Sequence, residues 1–149
     1  MKLIAIAPAF FAALTVADQV WPLELDYDYS IPTFSASKDI TLTWKKGYFS
    51  YNLGNDYTPK YFTLLVAAYN NTPTGYYTDW SGHEQPLYEA VTAVEIDTKA
   101  KTNAFSYVWK PKFVNGWKGD GYWYLFLTKW VATNGIPESA GSKLFYLTD

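Results

Sequence analysis

Residues 122–131 read Tyr-Trp-Tyr-Leu-Phe-Leu-Thr-Lys-Trp-Val. They form the most apolar stretch of the chain after the apolar segment at its N-terminus. Successive side chains of a β-strand point to opposite faces of the sheet, so this stretch presents two different faces. One face carries the larger aromatic set, made of Tyr122, Tyr124, Phe126 and Trp130. The other face carries Trp123 beside Leu125 and Leu127. A strand of a two-sheet sandwich has a single core face, so we expect one of the two aromatic sets to face solvent.

Strand patterns of the same kind recur on both sides of this stretch. Alternation, or enrichment in β-branched and aromatic residues, marks further segments at 27–34, 40–44, 61–69, 87–96, 104–109 and 143–147. Turn-forming residues fall between them, for example at 72–75 and 134–137. Pro32 interrupts the first segment, which suits an edge strand. About seven short strands separated by turns predict an all-β fold, an immunoglobulin-like or fibronectin-III-like two-sheet sandwich.

The N-terminus has the three-part pattern of a secretory signal peptide. Lys2 supplies the positive charge, residues 3–14 form an uncharged apolar run, and small residues end at Ala17 before the polar Asp18. The run is shorter than the roughly 20 residues that span a membrane; the alternative is an N-terminal core segment. No apolar tail of the kind that precedes a lipid anchor follows at the other end. We expect residues 1–17 to be removed, leaving 18–149 as a single secreted domain, extracellular or associated with a cell wall.

Composition excludes several classes of function. The chain has no cysteine, which removes disulfides, thiol catalysis and cysteine metal sites. All 12 basic residues are lysine and the formal net charge is −2, whereas nucleic-acid binding needs a dense cationic surface and usually arginine. We therefore expect no nucleic-acid partner, no metal, no cofactor and no insertion into a membrane.

Aromatic content is the strongest indication of function, since Phe, Trp and Tyr make up 20% of the chain. Some of these residues must fill the core, and Trp44 is assigned there by analogy with the buried tryptophan of immunoglobulin sandwiches. The candidates for exposed ligand contacts are Tyr76, Trp80, His83, Trp117 and Trp123. An exposed row of Tyr and Trp side chains suits the flat apolar faces of sugar rings.

The segment 76–86 concentrates polar groups around Trp80. It contains Asp79, Ser81 and His83, which is the only histidine of the chain. Catalysis by a serine, a histidine and an acid depends on their geometry, and no nucleophile-elbow glycine pattern accompanies these residues. A ligand-contacting loop is favoured, because loops on a rigid sandwich carry binding functions. A solvated histidine without a role is the alternative.

Acidic residues suggest two weaker hypotheses. Glu24, Asp26 and Asp28 alternate with apolar residues and would line one face of an extended strand. Several such carboxylates can bind calcium, but an acidic edge strand that resists edge-to-edge pairing is favoured, because no calcium-loop pattern is present. The other acids are scattered and single out no pair of carboxylates for glycoside hydrolysis.

One sequon for N-glycosylation is present, Asn70-Asn71-Thr72. It follows the predicted strand at 61–69, so Asn70 is expected in a surface loop. Pro73 comes next and should reduce use of the site.

Four short motifs carry a resemblance to a known family. They are the x-I-T-W pattern at 38–44, Y-x-W followed by proline at 105–111, D-G-Y-x-Y-L at 120–125 and the closing K-L-F-Y-L at 143–147. They resemble the fungal Kre9/Knh1-like family of Ser/Thr-rich cell-wall proteins, and the resemblance extends over roughly residues 31 to 149. The resemblance implies an immunoglobulin-like domain that takes part in β-glucan assembly, without catalytic residues. The long insert at 69–89 and the lack of a Ser/Thr-rich tail depart from the family pattern, so we expect a free secreted relative.

Three hypotheses for function follow. The first is a secreted, non-catalytic protein that binds or organises cell-wall polysaccharide of the β-glucan type. The second is a secreted protein-binding effector or adhesion module, which a rimmed apolar patch would favour. The third, and least favoured, is a glycoside hydrolase that uses loop carboxylates, which two carboxylates facing each other across a cleft would favour.

Overall fold

The computed structural model describes residues 19–24, 30–50, 58–89, 91–132 and 134–149. Within these ranges the protein is all-β. Its strands are β1 Val20–Pro22, β2 Thr33–Ser35, β3 Ile40–Thr43, β4 Tyr61–Asn70, β5 Gly75–Thr78, β6 Glu84–Leu87, β7 Thr92–Lys101, β8 Ser106–Trp109, β9 Tyr122–Val131, β10 Pro137–Gly141 and β11 Tyr146–Thr148. Two short 3-10 helices lie at Tyr48–Ser50 and Thr102–Ala104. In the described ranges, no helix is long and apolar enough to cross a membrane. The predicted signal peptide at 1–17 lies outside the described residues, as do Asp26 and Asp28.

The strands form four sheets. The largest has the order β10-β9-β4-β7 and is antiparallel throughout, with β4 and β9 paired along eight consecutive residues. A three-stranded sheet has the order β1-β3-β8, and β11 pairs with β2 in parallel. The fourth sheet is the hairpin β5–β6, which is inserted between β4 and β7.

The four-stranded sheet and the three-stranded sheet face each other across one hydrophobic cluster. Trp109 of β8 packs edge-on against Phe126 of β9, with ring centroids 5.2 Å apart. Trp44, the residue that follows β3, makes the same kind of contact with Phe62 of β4 at 5.3 Å. Trp44 is buried, as the sequence predicts. Such edge-to-face pairs stabilise a core beyond the area that they bury.

The two faces of β9 are assigned by this packing. Tyr124, Phe126 and Trp130 are buried in the cluster. Trp123 and the two leucines beside it point to the opposite side of the four-stranded sheet, which we call the outer face, and are half-buried there. The set with the bulkier aromatics therefore forms the core, since it faces the second sheet.

Tyr124, on the core face of β9, also fixes the preceding loop. The Tyr124 hydroxyl accepts a hydrogen bond from the backbone N–H of Val114 at 3.0 Å and donates to the carbonyl of Trp117. A buried hydroxyl needs partners, and here both come from backbone groups that form no part of a strand. One side chain thus ties the 114–117 loop to β9.

Several strand predictions are wrong in their boundaries. Of the segment predicted at 143–147, only residues 146–147 lie in β11, and of the described part of the segment predicted at 27–34, only residues 33–34 lie in β2. The segment predicted at 87–96 belongs to two strands, because residues 84–87 close the hairpin β5–β6 and β7 begins at Thr92. The segment predicted at 104–109 begins with a 3-10 turn, and β8 starts after Phe105, which adopts a left-handed φ of 56°. The described strands outnumber the seven predicted ones because β1, β5, β6 and β10, each three to five residues long, are too short to show a clear alternating pattern in the sequence.

Candidate functional site

Three of the predicted contact residues lie together on the β5–β6 hairpin. Trp80 occupies the turn and is 99% exposed, so its indole touches almost nothing in the protein. Tyr76 on β5 is 62% exposed, and His83 is exposed at the end of the turn. We call residues 79–83 the tip. Sequence reasoning placed these residues in a loop, and the structure places them on a two-stranded ribbon.

The carboxylate of Asp79 organises the tip. Its Oδ1 accepts hydrogen bonds from the Ser81 backbone N–H at 2.9 Å, the Ser81 hydroxyl at 2.7 Å and the His83 backbone N–H at 2.9 Å. Its Oδ2 accepts from the side-chain amide of Gln85 at 3.1 Å. Gly82 has a φ of +84°, a left-handed conformation that glycine adopts without steric cost. The turn is therefore held in one conformation with Trp80 projecting from it.

Hydrogen bonding favours the charged form of Asp79. The pKa of its carboxyl lies below the ordinary 3.8, first because of the Ser81 hydroxyl and then because of the His83 backbone N–H. The Ser81 hydroxyl also lies 2.9 Å from Nδ1 of His83. Since the hydroxyl proton goes to the ionised carboxylate, Nδ1 of His83 is the donor in this second hydrogen bond.

This arrangement differs from that of a serine hydrolase. In a catalytic triad the acid orients the imidazole and the imidazole takes the proton of the serine. Here Asp79 bonds the Ser81 hydroxyl itself, and the Asp79 contact to His83 is to its backbone N–H and not to its ring. The three side chains are arranged to shape a turn.

Trp123 lies at the base of the hairpin. It packs edge-on against Tyr69 at 5.3 Å and lies 5.6 Å from the ring of Tyr88, which follows β6. Its indole N–H donates to the hydroxyl of Tyr146 at 3.4 Å. Trp123 is half-buried and not freely exposed, and its contact with a ligand stays a prediction. We call Tyr69, Tyr88 and Trp123 the anchor cluster, because they join the hairpin to the sheet.

Trp117 is also not the freely exposed side chain that the sequence suggested. Its ring stacks on Tyr122 with centroids 5.2 Å apart and planes 8° from parallel. Both rings are partly buried against the hydrophobic cluster. Stacking against the first residue of β9 covers one face of each ring.

A second surface, which sequence reasoning missed, lies at the other end of the outer face. It is an open groove of about 660 Å³ that crosses the four-stranded sheet. Its lining comes from all four strands and from the residues that lead into β4: Pro59, Lys60, Tyr61, Phe62, Thr63, Thr98, Lys129, Trp130, Val131, Pro137, Glu138 and Ser139. Tyr61 is 39% exposed, and the ammonium of Lys60 lies 5.4 Å from the centroid of its ring.

The structure also locates other polar residues that the sequence singled out. Glu24 accepts a hydrogen bond from the backbone N–H of Lys45, which indicates a structural role. The described ranges contain no group of three or more His, Asp or Glu side chains that could hold a metal ion. Asn70 is the last residue of β4, and its side-chain oxygen accepts from the N–H of Thr72 at 2.9 Å. Its glycosylation remains a prediction.

Comparison with protein-family models, with curated proteins and with solved structures finds no match to this chain. Function therefore has to be inferred from the chemistry of the tip and of the groove.

Proposed function

We propose that this chain is a secreted, non-catalytic protein that binds cell-wall polysaccharide of the β-glucan type through the tip of its β5–β6 hairpin. The observation that carries the proposal is the 99% exposed indole of Trp80 on a turn fixed by Asp79. The side chain supplies almost no packing energy to the fold, so it is fully available to a ligand.

The physical basis is stacking on a rigid support. A large aromatic ring buries much apolar surface when it meets a flat apolar face, and sugar rings have such faces. Because the turn is already ordered, binding costs little conformational entropy at the tip. Tyr76, 62% exposed on β5, adds a second aromatic surface on the same ribbon.

We also propose a fold that is more specific than the all-β class. We assign an immunoglobulin-like or fibronectin-III-like sandwich, because the Tyr124 hydroxyl bonds to backbone groups seven and ten residues upstream, a tie from a strand tyrosine to the preceding loop that is similar in kind to the tyrosine corner of such sandwiches. The buried Trp44 supports the same assignment. Membership of the Kre9/Knh1-like family, removal of residues 1–17 and an extracellular or wall-associated location belong to this proposal as well.

Hydrolysis has less support than binding. Among the described residues that line the groove, Glu138 is the one acid, whereas glycoside hydrolysis ordinarily uses two carboxylates on either side of the scissile bond. A protein partner is the stronger alternative, since an exposed tryptophan also serves as an interface anchor.

The test is retention of residues 18–149 on insoluble β-glucan, chitin, cellulose and mannan. Trp80→Ala is compared with Tyr77→Ala, which removes an exposed aromatic from the same hairpin. The register of the ribbon places Tyr77 on the face opposite Tyr76. We expect retention on β-glucan that Trp80→Ala abolishes and Tyr77→Ala preserves. Absence of retention on all four materials would refute polysaccharide binding and leave a protein partner as the function to pursue.

A further inference from the structure

The groove lies at the opposite end of β4 from the hairpin. Tyr61 begins β4 at the groove, and Asn70 ends β4 a few residues before β5. A ten-residue strand is roughly 30 Å long, so the two surfaces are well separated. The geometry points to the groove as a second saccharide-binding site, for a short stretch of a β-glucan-type chain. This inference rests on the proposed function and deepens it.

Strand register builds a polar row across the sheet. Thr63 of β4 lies opposite Lys129 of β9, and Lys129 lies opposite Ser139 of β10. Directly paired residues share a face, so the three side chains stand side by side on the outer face. They supply two hydroxyls and one ammonium.

An apolar row runs parallel to the polar row. Val131 lies opposite Pro137, and Tyr61 is two residues before Thr63 on the same face of β4. Both rows line the groove. A sugar ring likewise has an apolar face bordered by hydroxyls, so the two rows match its two kinds of surface.

The dimensions fit a segment of a chain. Neighbouring strands are about 4.8 Å apart, so a row across three strands spans roughly 10 Å. The groove volume of about 660 Å³ lies within the usual range for small-molecule sites, about 300–1,000 Å³. An open trough of this kind admits a chain that continues beyond it at both ends.

The polar groups of the groove are uncommitted. Among the described residues, the side chains of Thr63, Lys129 and Ser139 make no hydrogen bond or ion pair. The tip differs in this respect, because both carboxylate oxygens of Asp79 already have partners there. The groove thus offers the orienting hydrogen bonds that the tip lacks.

Aromatic and charged groups complete the site. The Lys60 ammonium over the ring of Tyr61 holds that ring in place by a cation–π contact. The ammonium groups of Lys60 and Lys129, which line the groove, donate to sugar hydroxyls. When both sites of the protein bind the same polymer chain, the apparent affinity for that chain is about 10² or more above the affinity of either site alone.

The experiment is titration of ¹⁵N-labelled residues 18–149 with a soluble β-1,3-glucan oligosaccharide, followed by NMR. We expect backbone signals of Thr63, Lys129 and Ser139 to shift. Tyr61→Ala should weaken oligosaccharide binding about tenfold or more, and Lys129→Ala should weaken it as well. Lys110→Ala is the matched control, because Lys110 is exposed and lies just after β8. Urea unfolding of each variant confirms that it is folded.

The two proposals fail in different ways. If signals shift only at the tip, and neither Tyr61→Ala nor Lys129→Ala weakens binding, the groove site is refuted while the tip remains the binding surface. If signals shift at the groove and Trp80→Ala leaves retention on insoluble β-glucan unchanged, the groove stands and the role of the tip is refuted. If the protein binds neither the oligosaccharide nor any insoluble polysaccharide, both are refuted.

Discussion

The indole of Trp80 projects into solvent, whereas that of Trp109 fills the space between two sheets. Surface substitutions change the free energy of unfolding by about 0.5 kcal/mol or less, so we expect Trp80→Ala to unfold in urea like the unaltered chain. Trp109→Ala removes a buried ring that packs on Phe126 and should cost about 3–5 kcal/mol. A loss of more than about 1 kcal/mol for Trp80→Ala would mean that Trp80 packs against the fold in solution.

Asp79 makes the order of the tip depend on pH. Its pKa in the folded protein is lowered from 3.8, chiefly by the Ser81 hydroxyl. A lowered pKa stabilises the ordered turn above the unfolded value, and this contribution is lost as the pH falls through the folded value. We expect the amide NMR signals of Ser81 and His83 to show an acid transition whose midpoint lies below pH 3.8.

The control for this titration is Asp79→Asn, which keeps the shape of the side chain and removes its charge. Its signals should differ from those of the unaltered protein at neutral pH and show no acid transition assigned to residue 79. An acid transition of the same size in Asp79→Asn would assign the pH dependence to another group.

At the scale of elements, the hairpin depends on the anchor cluster. Trp123 contacts both Tyr69 and Tyr88, and each aromatic pair is worth about 0.5–1.5 kcal/mol. Trp123→Ala should therefore loosen the hairpin, seen as faster amide hydrogen exchange at residues 75–87 with less change in β4 and β9. Trp117→Ala is the matched control, since it removes a half-buried tryptophan that stacks elsewhere. Equal exchange at the hairpin in both variants would contradict the anchoring role.

Sequence alone predicts some of these elements well. The boundaries of β9 and the start of β4 follow from long apolar runs, and β3 follows from its alternating β-branched residues. The hairpin was missed because Gly75–Thr78 and Glu84–Leu87 are largely exposed and show no alternation of burial. The polar segment between them was recognised for its chemistry, although its ribbon structure was not predicted.

Pairing between strands explains why the groove was not predicted. Thr63, Lys129 and Ser139 are far apart in the sequence and become neighbours only through the register of β4, β9 and β10. Nothing local to any one of them indicates a site. The alternating pattern places Trp123 on the face of β9 opposite to the face that carries Tyr124, as the structure does. The pattern does not show that Tyr69 and Tyr88 pack against Trp123.

At the scale of the whole molecule, the N-terminal strand closes the fold. The buried side chain of Gln19 donates to the carbonyl oxygens of Ser35 and Lys38 and accepts from the Ser35 N–H. Trp21 and Leu23 belong to the hydrophobic cluster. We expect residues 18–149 to unfold in urea in one cooperative transition, and residues 24–149 to be far less stable. Equal stability of the two chains would show that β1 is dispensable.

The central claim is that Trp80 itself contacts the polysaccharide, and iodide quenching of tryptophan fluorescence at constant ionic strength tests it most directly. The indoles of Trp21, Trp44, Trp109 and Trp130 are buried and those of Trp117 and Trp123 are half-buried, so Trp80, at 99% exposure, is the tryptophan most accessible to iodide. The measurement compares the free protein, the protein saturated with soluble β-glucan, and Trp80→Phe. We predict that β-glucan lowers the quenchable fraction to that of Trp80→Phe. Bound protein in which Trp80 stays as quenchable as in the free state would contradict the account.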